Sequence, residues 1–307
     1  MGVCANKYLV VSIIYRTVEM TQPSAVPQQQ ANPLAKHFRQ PALYIKLTSD
    51  GEFWPDGALE LSATGELPIY PMTTKDEITL RTPDALINGT SVVKVIESCA
   101  PSVKDAWKMP SVDVDSTLIA IRIASYGPSM SVTSKCPHCS EEHDYDVDLS
   151  HVLGGIRMPN YREPVAVDQL KIKLKPTNYL QASKAGTVAF EQQKIINTMI
   201  DESIPSEVRQ KRLEEHVKAM TDLGIDNVTN STESITTEDG QVVTNSRFIR
   251  EFYVNSPGTI MRTVQERLEQ YAKEVGVKPI ETKCSACETA FQLNIEFDYA
   301  RFFDRGF

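Results

Sequence analysis

Two short knuckles constrain this chain more than any other feature: Cys136-Pro137-His138-Cys139 and Cys284-Ser285-Ala286-Cys287. Each is approached by an alternating segment that ends in Lys-Cys, Met130 to Cys136 and Pro279 to Cys284. Each is followed by a second one, His143 to Leu149 and Phe291 to Phe297. Alternation at period two is the pattern of a half-buried strand, so both stretches predict a β-hairpin with two thiols at its tip. Two such hairpins facing each other supply four thiolates in a tetrahedron, the closed coordination of a structural Zn²⁺. Cys136, Cys139, Cys284 and Cys287 are therefore the expected metal ligands, and a shell with no position left for water is structural and not catalytic. In a compact ribbon the two pairs lie about 15–20 residues apart. Here residues 140–283 separate them, so the metal would staple distant parts of the chain. The competing reading is two independent buried or redox-active pairs. A thioredoxin-like Cys-x-x-Cys opens a helix after a strand, whereas both of these are followed by charged turn residues and another strand. His138 and His143 lie close by and read as surface residues, because four thiols already complete the shell.

At 307 residues the chain can bury a sizeable core, and its length favours two domains or one with a large insertion. The net charge of −8 argues against a general nucleic-acid binder, which needs clustered Lys and Arg to follow phosphates. That matters because zinc ribbons often bind nucleic acid. Six cysteines, four of them in knuckles, fit a reducing compartment. Cys99 reads as a helix core residue.

Residues 1–37 read as an arm of two parts. The apolar run Tyr8 to Tyr15 is too short to span a bilayer and lacks a signal-peptide cleavage site. Asn6 stands where a myristoylation pattern needs Ser or Thr. Thr21 to Pro33 is polar and Pro/Gln-rich, which predicts disorder, with Met20 as the natural start. An α+β domain is expected over 38–128. It has a strand through Leu43, Ile45 and Leu47, an aromatic corner at Phe53-Trp54-Pro55-Asp56-Gly57, and short strands from Gly65 to Tyr70. Helices follow near Thr74, Thr82-Pro83-Asp84 and Ser91, and a very apolar one from Ser116 to Tyr126 is capped by Asp115 and stopped by Gly127-Pro128. The split zinc ribbon would occupy 129–153 and 276–307. Between them, 154–275 reads as a mainly helical insertion: a strand pair ending in Leu170 to Leu174, helices after Asn178 and Pro205, a hairpin tip at Glu238-Asp239-Gly240, and helices over Phe248 to Tyr253 and after Ser256-Pro257. The terminal Phe302, Phe303 and Phe307 either dock on the chain's own core or anchor in a neighbouring subunit.

No phosphate loop, His-Glu-x-x-His or nucleophile elbow is present, so nothing in the sequence points to an enzyme. Asp113/Asp115 and Asp144/Asp146/Asp148 are the carboxylate groups that acid–base chemistry could use. Strand alternation puts the latter three on one solvent-facing side.

Several phrases in order resemble a known family. They are Phe38-Arg39-Gln40-Pro41, the corner Phe53 to Gly57, Pro68-Ile69-Tyr70-Pro71-Met72-Thr73, Thr82-Pro83-Asp84-Ala85-Leu86-Ile87-Asn88-Gly89, and Ile119 to Gly127 before Cys-Pro-x-Cys. Together they are similar to baseplate hub or hub-assembly proteins of T4-like contractile-tailed bacteriophages, from about Phe38 to the C-terminus. The resemblance implies a non-enzymatic protein of the virion tail baseplate, made in the host cytoplasm during assembly. It would act through contacts with hub, wedge or tape-measure proteins, with no nucleic acid or membrane partner, and could be oligomeric within the assembly. A chaperone for the tape-measure protein or the hub that leaves before the virion matures is a close variant. A zinc-ribbon nucleic-acid module is the reading from a different class. No catalytic residue is implied.

Overall fold

The alternating run at Leu43 pairs as expected. Strand β1 (Leu43–Ile45) lies antiparallel to β2 (Leu67–Ile69), with Leu43 opposite Ile69 and Ile45 opposite Leu67. The computed structural model describes residues 32–81, 89–199, 205–294 and 302–303. The readings placed on 1–31, on Thr82 to Asn88, on Ile295 to Phe297 and on Phe307 lie outside these residues. The chain divides into two units, 1–38 and 39–307. In the first, the described part is a 3₁₀ turn over Pro33–His37, whose leading N–H, that of Leu34, donates to the Asn32 side chain.

Everything else belongs to the second unit. Helix α1 (Thr74–Leu80) starts on a reciprocal capping box between Thr73 and Asp76. Arg39 holds this helix to the next, α2 (Thr90–Cys99). Its guanidinium donates to the Pro71 and Ser98 carbonyls at 2.9 and 2.8 Å and pairs with Asp76 at 3.3 Å. Helix α2 begins at Gly89, whose φ of 75° and close approach to Ser183 and Tyr179 leave no room for a Cβ. Cys99 is fully buried at its end.

Helix α3 (Ser111–Tyr126) starts earlier than Asp115, directly after Pro110. The polar look of Ser111 to Asp115 hides tertiary burial: Val112, Asp113 and Val114 are all inside. From Val112 to Arg122 only Asp115 escapes burial. A helix that is apolar nearly all round must be covered on every side, and α3 is. Val112 packs into one hydrophobic cluster, while Val114, Leu118, Ile119 and Ile121 pack into another. Gly127, at φ 85°, stops the helix and turns the chain into the first ribbon arm.

That arm is β3 (Ser129–Lys135) paired antiparallel with β4 (Glu142–Asp148), followed by the short helix α4 (Leu149–Gly155), which Asp148 caps through Ser150 N. The intervening segment is mainly helical, and its short strands join in one sheet. Strands β5 (Val165–Val167), β6 (Leu170–Leu174), β7 (Thr232–Thr236) and β8 (Val242–Val243) form one antiparallel sheet in that order, and β7 and β8 turn at Gly240. Between β6 and β7 the chain runs out and back as α5 (Tyr179–Met199) and α6 (Ser206–Asn230). Asn178 and Gln181 cap the start of α5 reciprocally. Helices α7 (Ser246–Asn255) and α8 (Gly258–Val275) cover the sheet through Ile249, Tyr253, Ile260, Val264 and Tyr271. The second arm, β9 (Ile280–Lys283) with β10 (Ala290–Leu293), closes the described fold.

The ribbon arms are not appendages. Tyr145, Val147, Phe291 and Leu293 are in the same hydrophobic cluster as α2 and α3. Phe302 and Phe303 join it at 4% and 7% exposure, stacked edge to face at 5.1 Å, and the Arg122 Nε donates to the Phe302 carbonyl at 3.1 Å. Of the two readings of these terminal rings, the structure takes docking on the chain's own core. An anchor in a neighbour is corrected for both residues, because their surface is already spent on α3.

Candidate metal centre

Both knuckles follow the same local rule. In the first, Cys136 N donates to Glu141 O and Ser140 N donates to Cys136 O, both at 2.9 Å. In the second, Cys284 N donates to Thr289 O and Glu288 N to Cys284 O, both at 3.0 Å. The residue after the second cysteine adopts the left-handed region in each, Ser140 at φ 60° and Glu288 at φ 57°. That conformation costs a non-glycine residue about 1 kcal/mol or more and recurs only where the surroundings impose it. The N–H two residues beyond the first cysteine points back at its sulfur: His138 N to Cys136 Sγ and Ala286 N to Cys284 Sγ, each 3.4 Å. Sequence offers the Cys-x-x-Cys spacing. The shared turn and its sulfur-directed amides are visible only in the structure.

The hairpin tips meet. All four Sγ atoms lie within 4.8 Å of one another. The short approaches run between knuckles, Cys136 to Cys287 at 3.8 Å and Cys139 to Cys284 at 3.6 Å, and none of these thiols is disulfide-bonded. With Zn–S bonds of about 2.3 Å, a tetrahedron has sulfur–sulfur edges of about 3.8 Å. The arrangement therefore has the dimensions that four thiolates take around one ion, and these four cysteines could hold a metal.

The electrostatics point the same way. The backbone N–H groups of Cys287 and Ala286, aimed at the Cys284 sulfur, lower its thiol to about 6, and hydrogen bonding to Thr289 lowers Cys287. Cys139, although the Glu141 N–H lowers it, is raised to about 12 by burial and by the hydrogen bonds it shares with the other three thiols. Four sulfurs this close cannot all ionise without a cation between them.

Two neighbours escape a reading of spacing alone. Tyr145 is 7% exposed and stands edge-on to Phe291 at 5.5 Å. Its hydroxyl is buried without a hydrogen-bond partner of proper geometry. Burial, then the charge of Cys284, raise its pKa. His143 is not the surface residue expected: it is half-buried, its Nε2 is enclosed without a partner, and its ring lies edge-on to Tyr145 at 6.5 Å. Strand alternation explains both, since β4 turns His143, Tyr145 and Val147 inward. His138 is exposed, as expected.

The carboxylates separate. Asp144, Asp146 and Asp148 lie on the exposed face of β4. Asp113 is 0% exposed and accepts from Ser49 N at 2.8 Å, Ser49 Oγ at 2.5 Å and Trp54 Nε1 at 2.8 Å. It is the anchor that ties the aromatic corner to α3, with its lone pairs committed to protein donors. Burial pushes its pKa up from the ordinary 3.8. The folded state then keeps this proton to higher pH than the unfolded chain, so the contribution of Asp113 to stability falls as pH rises from 3.8 through the folded value. Asp113→Asn is expected to cost about 1–3 kcal/mol at neutral pH, since an amide nitrogen must face either the Ser49 or the Trp54 N–H. Urea unfolding of the two proteins against pH checks this: the gap should widen toward acid, where the wild type loses the charge penalty.

Among the described residues no helix is long and apolar enough to cross a membrane. Searches of curated proteins and of solved structures gave no match. A family profile did match, over residues 55–304, which takes in α3, both knuckles and everything between them. By that match the chain belongs to the T4 bacteriophage base plate protein family.

Proposed function

We propose that the protein is a structural or assembly component of the hub of a contractile-tail baseplate, and that it works through protein surfaces and not through an active site. Membership of the base plate family carries the tail assignment. The resemblance of the phrases from Phe38 to Gly127 to hub and hub-assembly proteins supports the narrower one. The non-enzymatic reading rests on the shape of the best-formed polar sites. The four cysteines would close a coordination shell with no place for substrate, and the Asp113 carboxylate is committed to Ser49 and Trp54.

The ion is Zn²⁺ in this reading, held by Cys136, Cys139, Cys284 and Cys287. When bound it supplies a tetrahedral crosslink and no reactivity. The protein's own residues do the rest: the 138 and 286 amides stabilise thiolate charge, and Tyr145 packs edge-on against Phe291 of the second arm. The crosslink fixes the ends of the segment that carries the β5–β8 sheet and the α5/α6 hairpin.

A hub or tape-measure chaperone is the second reading, favoured by one observation. Phe190 of α5 and Leu213, Val217 and Met220 of α6 are exposed apolar residues along a helical hairpin, the kind of face that sheathes a helical client. Quantitative mass spectrometry of purified particles beside infected-cell lysate separates the readings. A built-in component is found at stoichiometric level in particles; a chaperone is found in lysate alone; absence from both the particle and every tail-assembly intermediate would overturn both.

A further inference from the structure

Among the described residues, the first ribbon arm ends in an open sheet edge. The β3–β4 ladder has two strands only, and its register runs unbroken from Ser129–Asp148 to Lys135–Glu142. Two bonds fix which backbone groups face inward: Leu149 N donates to Pro128 O, and Cys136 N to Glu141 O. Hydrogen-bonded and non-hydrogen-bonded pairs alternate along an antiparallel ladder. Positions 130, 132 and 134 therefore bond to β4, while the N–H and C=O groups of Ser129, Ser131, Thr133 and Lys135 point away from it. Among the described residues no backbone group bonds to that edge. On the far side of β4, Val277 to Ile280 face Asp146, Asp148 and His151 across a cleft, so β3 presents the accessible edge.

Proteins blunt such edges with charge, proline, bulges or short strands, because an unpaired row of donors and acceptors recruits another strand. β3 uses none of these before Lys135: its sequence is Ser-Met-Ser-Val-Thr-Ser-Lys over seven residues without a bulge. A second, independent feature is charge. Glu142, Asp144, Asp146 and Asp148 form a ladder on the exposed face of β4, directly opposite Lys135, Thr133, Ser131 and Ser129. Lys135 meets Glu142 at 3.7 Å and Thr133 donates to Asp144 at 2.6 Å; Asp146 stands opposite Ser131 and also lines the cleft that holds Lys278.

We propose that the β3 edge receives an extended, basic segment of another baseplate protein as a third strand of this ribbon arm. The added strand would bond to the outward groups of Ser129, Ser131, Thr133 and Lys135. Its Lys or Arg side chains on the exposed face would lie about 10 Å from the aspartates, two strand spacings away. The side chains between them, Ser129, Ser131 and Thr133, are small enough for a long basic side chain to cross. Backbone bonding would give affinity, and the acidic ladder would select the sign of the partner.

The test uses the full chain and a fluorescein-labelled peptide alternating lysine with threonine, read by anisotropy. The peptide is expected to bind with an affinity that falls as salt rises, and its glutamate counterpart is not. Ser131→Pro removes an N–H that makes no bond to β4, so the hairpin should keep its melting temperature while binding weakens at least tenfold. Asp144→Asn with Asp146→Asn should weaken it several-fold. A lysine peptide N-methylated along its bonding edge keeps the charge and the protein unchanged, and it should fail to bind. Equal binding of the N-methylated peptide would overturn strand addition in favour of plain charge attraction. So would an edge occupied by a second copy, seen as a dimer in sedimentation that Ser131→Pro dissociates and that excludes the peptide.

Discussion

Purified protein is expected to contain about one zinc per chain, and Cys136→Ser or Cys287→Ser is expected to leave it unable to hold the ion or the fold. Binding to four thiolates is folding free energy when the site does not exist in the unfolded chain, and for zinc-finger peptides it is on the order of 10 kcal/mol. That is comparable with the whole stability of a typical domain, about 5–15 kcal/mol. Here the ligands come in pairs from two hairpins separated by residues 140–283, so losing one sulfur releases the contact between the hairpin tips as well as a bond. Cys99→Ala is the control. That thiol is buried in α2, pushed up to about 12 by burial and then by Asp76, and is not one of the four clustered sulfurs. Its removal should cost only about 1–2 kcal/mol, as for an ordinary small core truncation. Metal analysis beside urea denaturation measures both. Full stability after refolding in chelator would remove zinc from the account while leaving family membership untouched, because the match over residues 55–304 does not depend on metal.

The four-cysteine cluster was legible in sequence because its pattern is local. A Cys-x-x-Cys between two alternating runs says strand, tip, strand, and the two copies say tetrahedron. What was not legible is the company it keeps. His143 looked like a surface residue, yet alternation along β4 was enough to place it inward beside Tyr145 once the register with Val132 and Ser134 was known. The early start of α3 was hidden for a different reason. Ser111 to Asp115 carries two carboxylates, and only the donors brought by Ser49 and Trp54, distant in sequence, make it possible to bury Asp113. Strand β7 was partly concealed as well: in Thr232–Thr236 the burial of Thr232, Ser234 and Ile235 comes from β6 and α7, not from any apolar run. Local pattern gave the elements that satisfy themselves, and tertiary partners decided the others.

The same distinction governs the end of the chain, where the second large effect is expected. Phe302 and Phe303 looked equally suited to the chain's own core or to a neighbour. Their burial against α3 decides that the monomer suffers first when they are lost. Truncating a buried Phe to Ala costs about 3–5 kcal/mol, the lost transfer free energy plus a cavity that only partly collapses. Phe302→Ala should cost the upper part of that range, because its carbonyl also accepts from the buried Arg122, whose guanidinium lies 4.6 Å from the Tyr126 ring, and a shifted tail would disturb that pair. Phe303→Ala should cost somewhat less, and the double variant less than the sum, since the two rings stack on each other. On a domain this large, each single change should lower the melting temperature by on the order of 10 °C. A contrasting variant locates the partner surface. Phe248 on α7 is 58% exposed, so Phe248→Ser should leave the melting temperature within a degree or so, as for most exposed positions. If Phe248→Ser also enters particles at the wild-type level, partners dock elsewhere. If it is excluded while Phe302→Ala, held below its melting temperature, still enters, then assembly is read by the outer face of the α7 and α6 region and the terminal rings serve only to hold the core together.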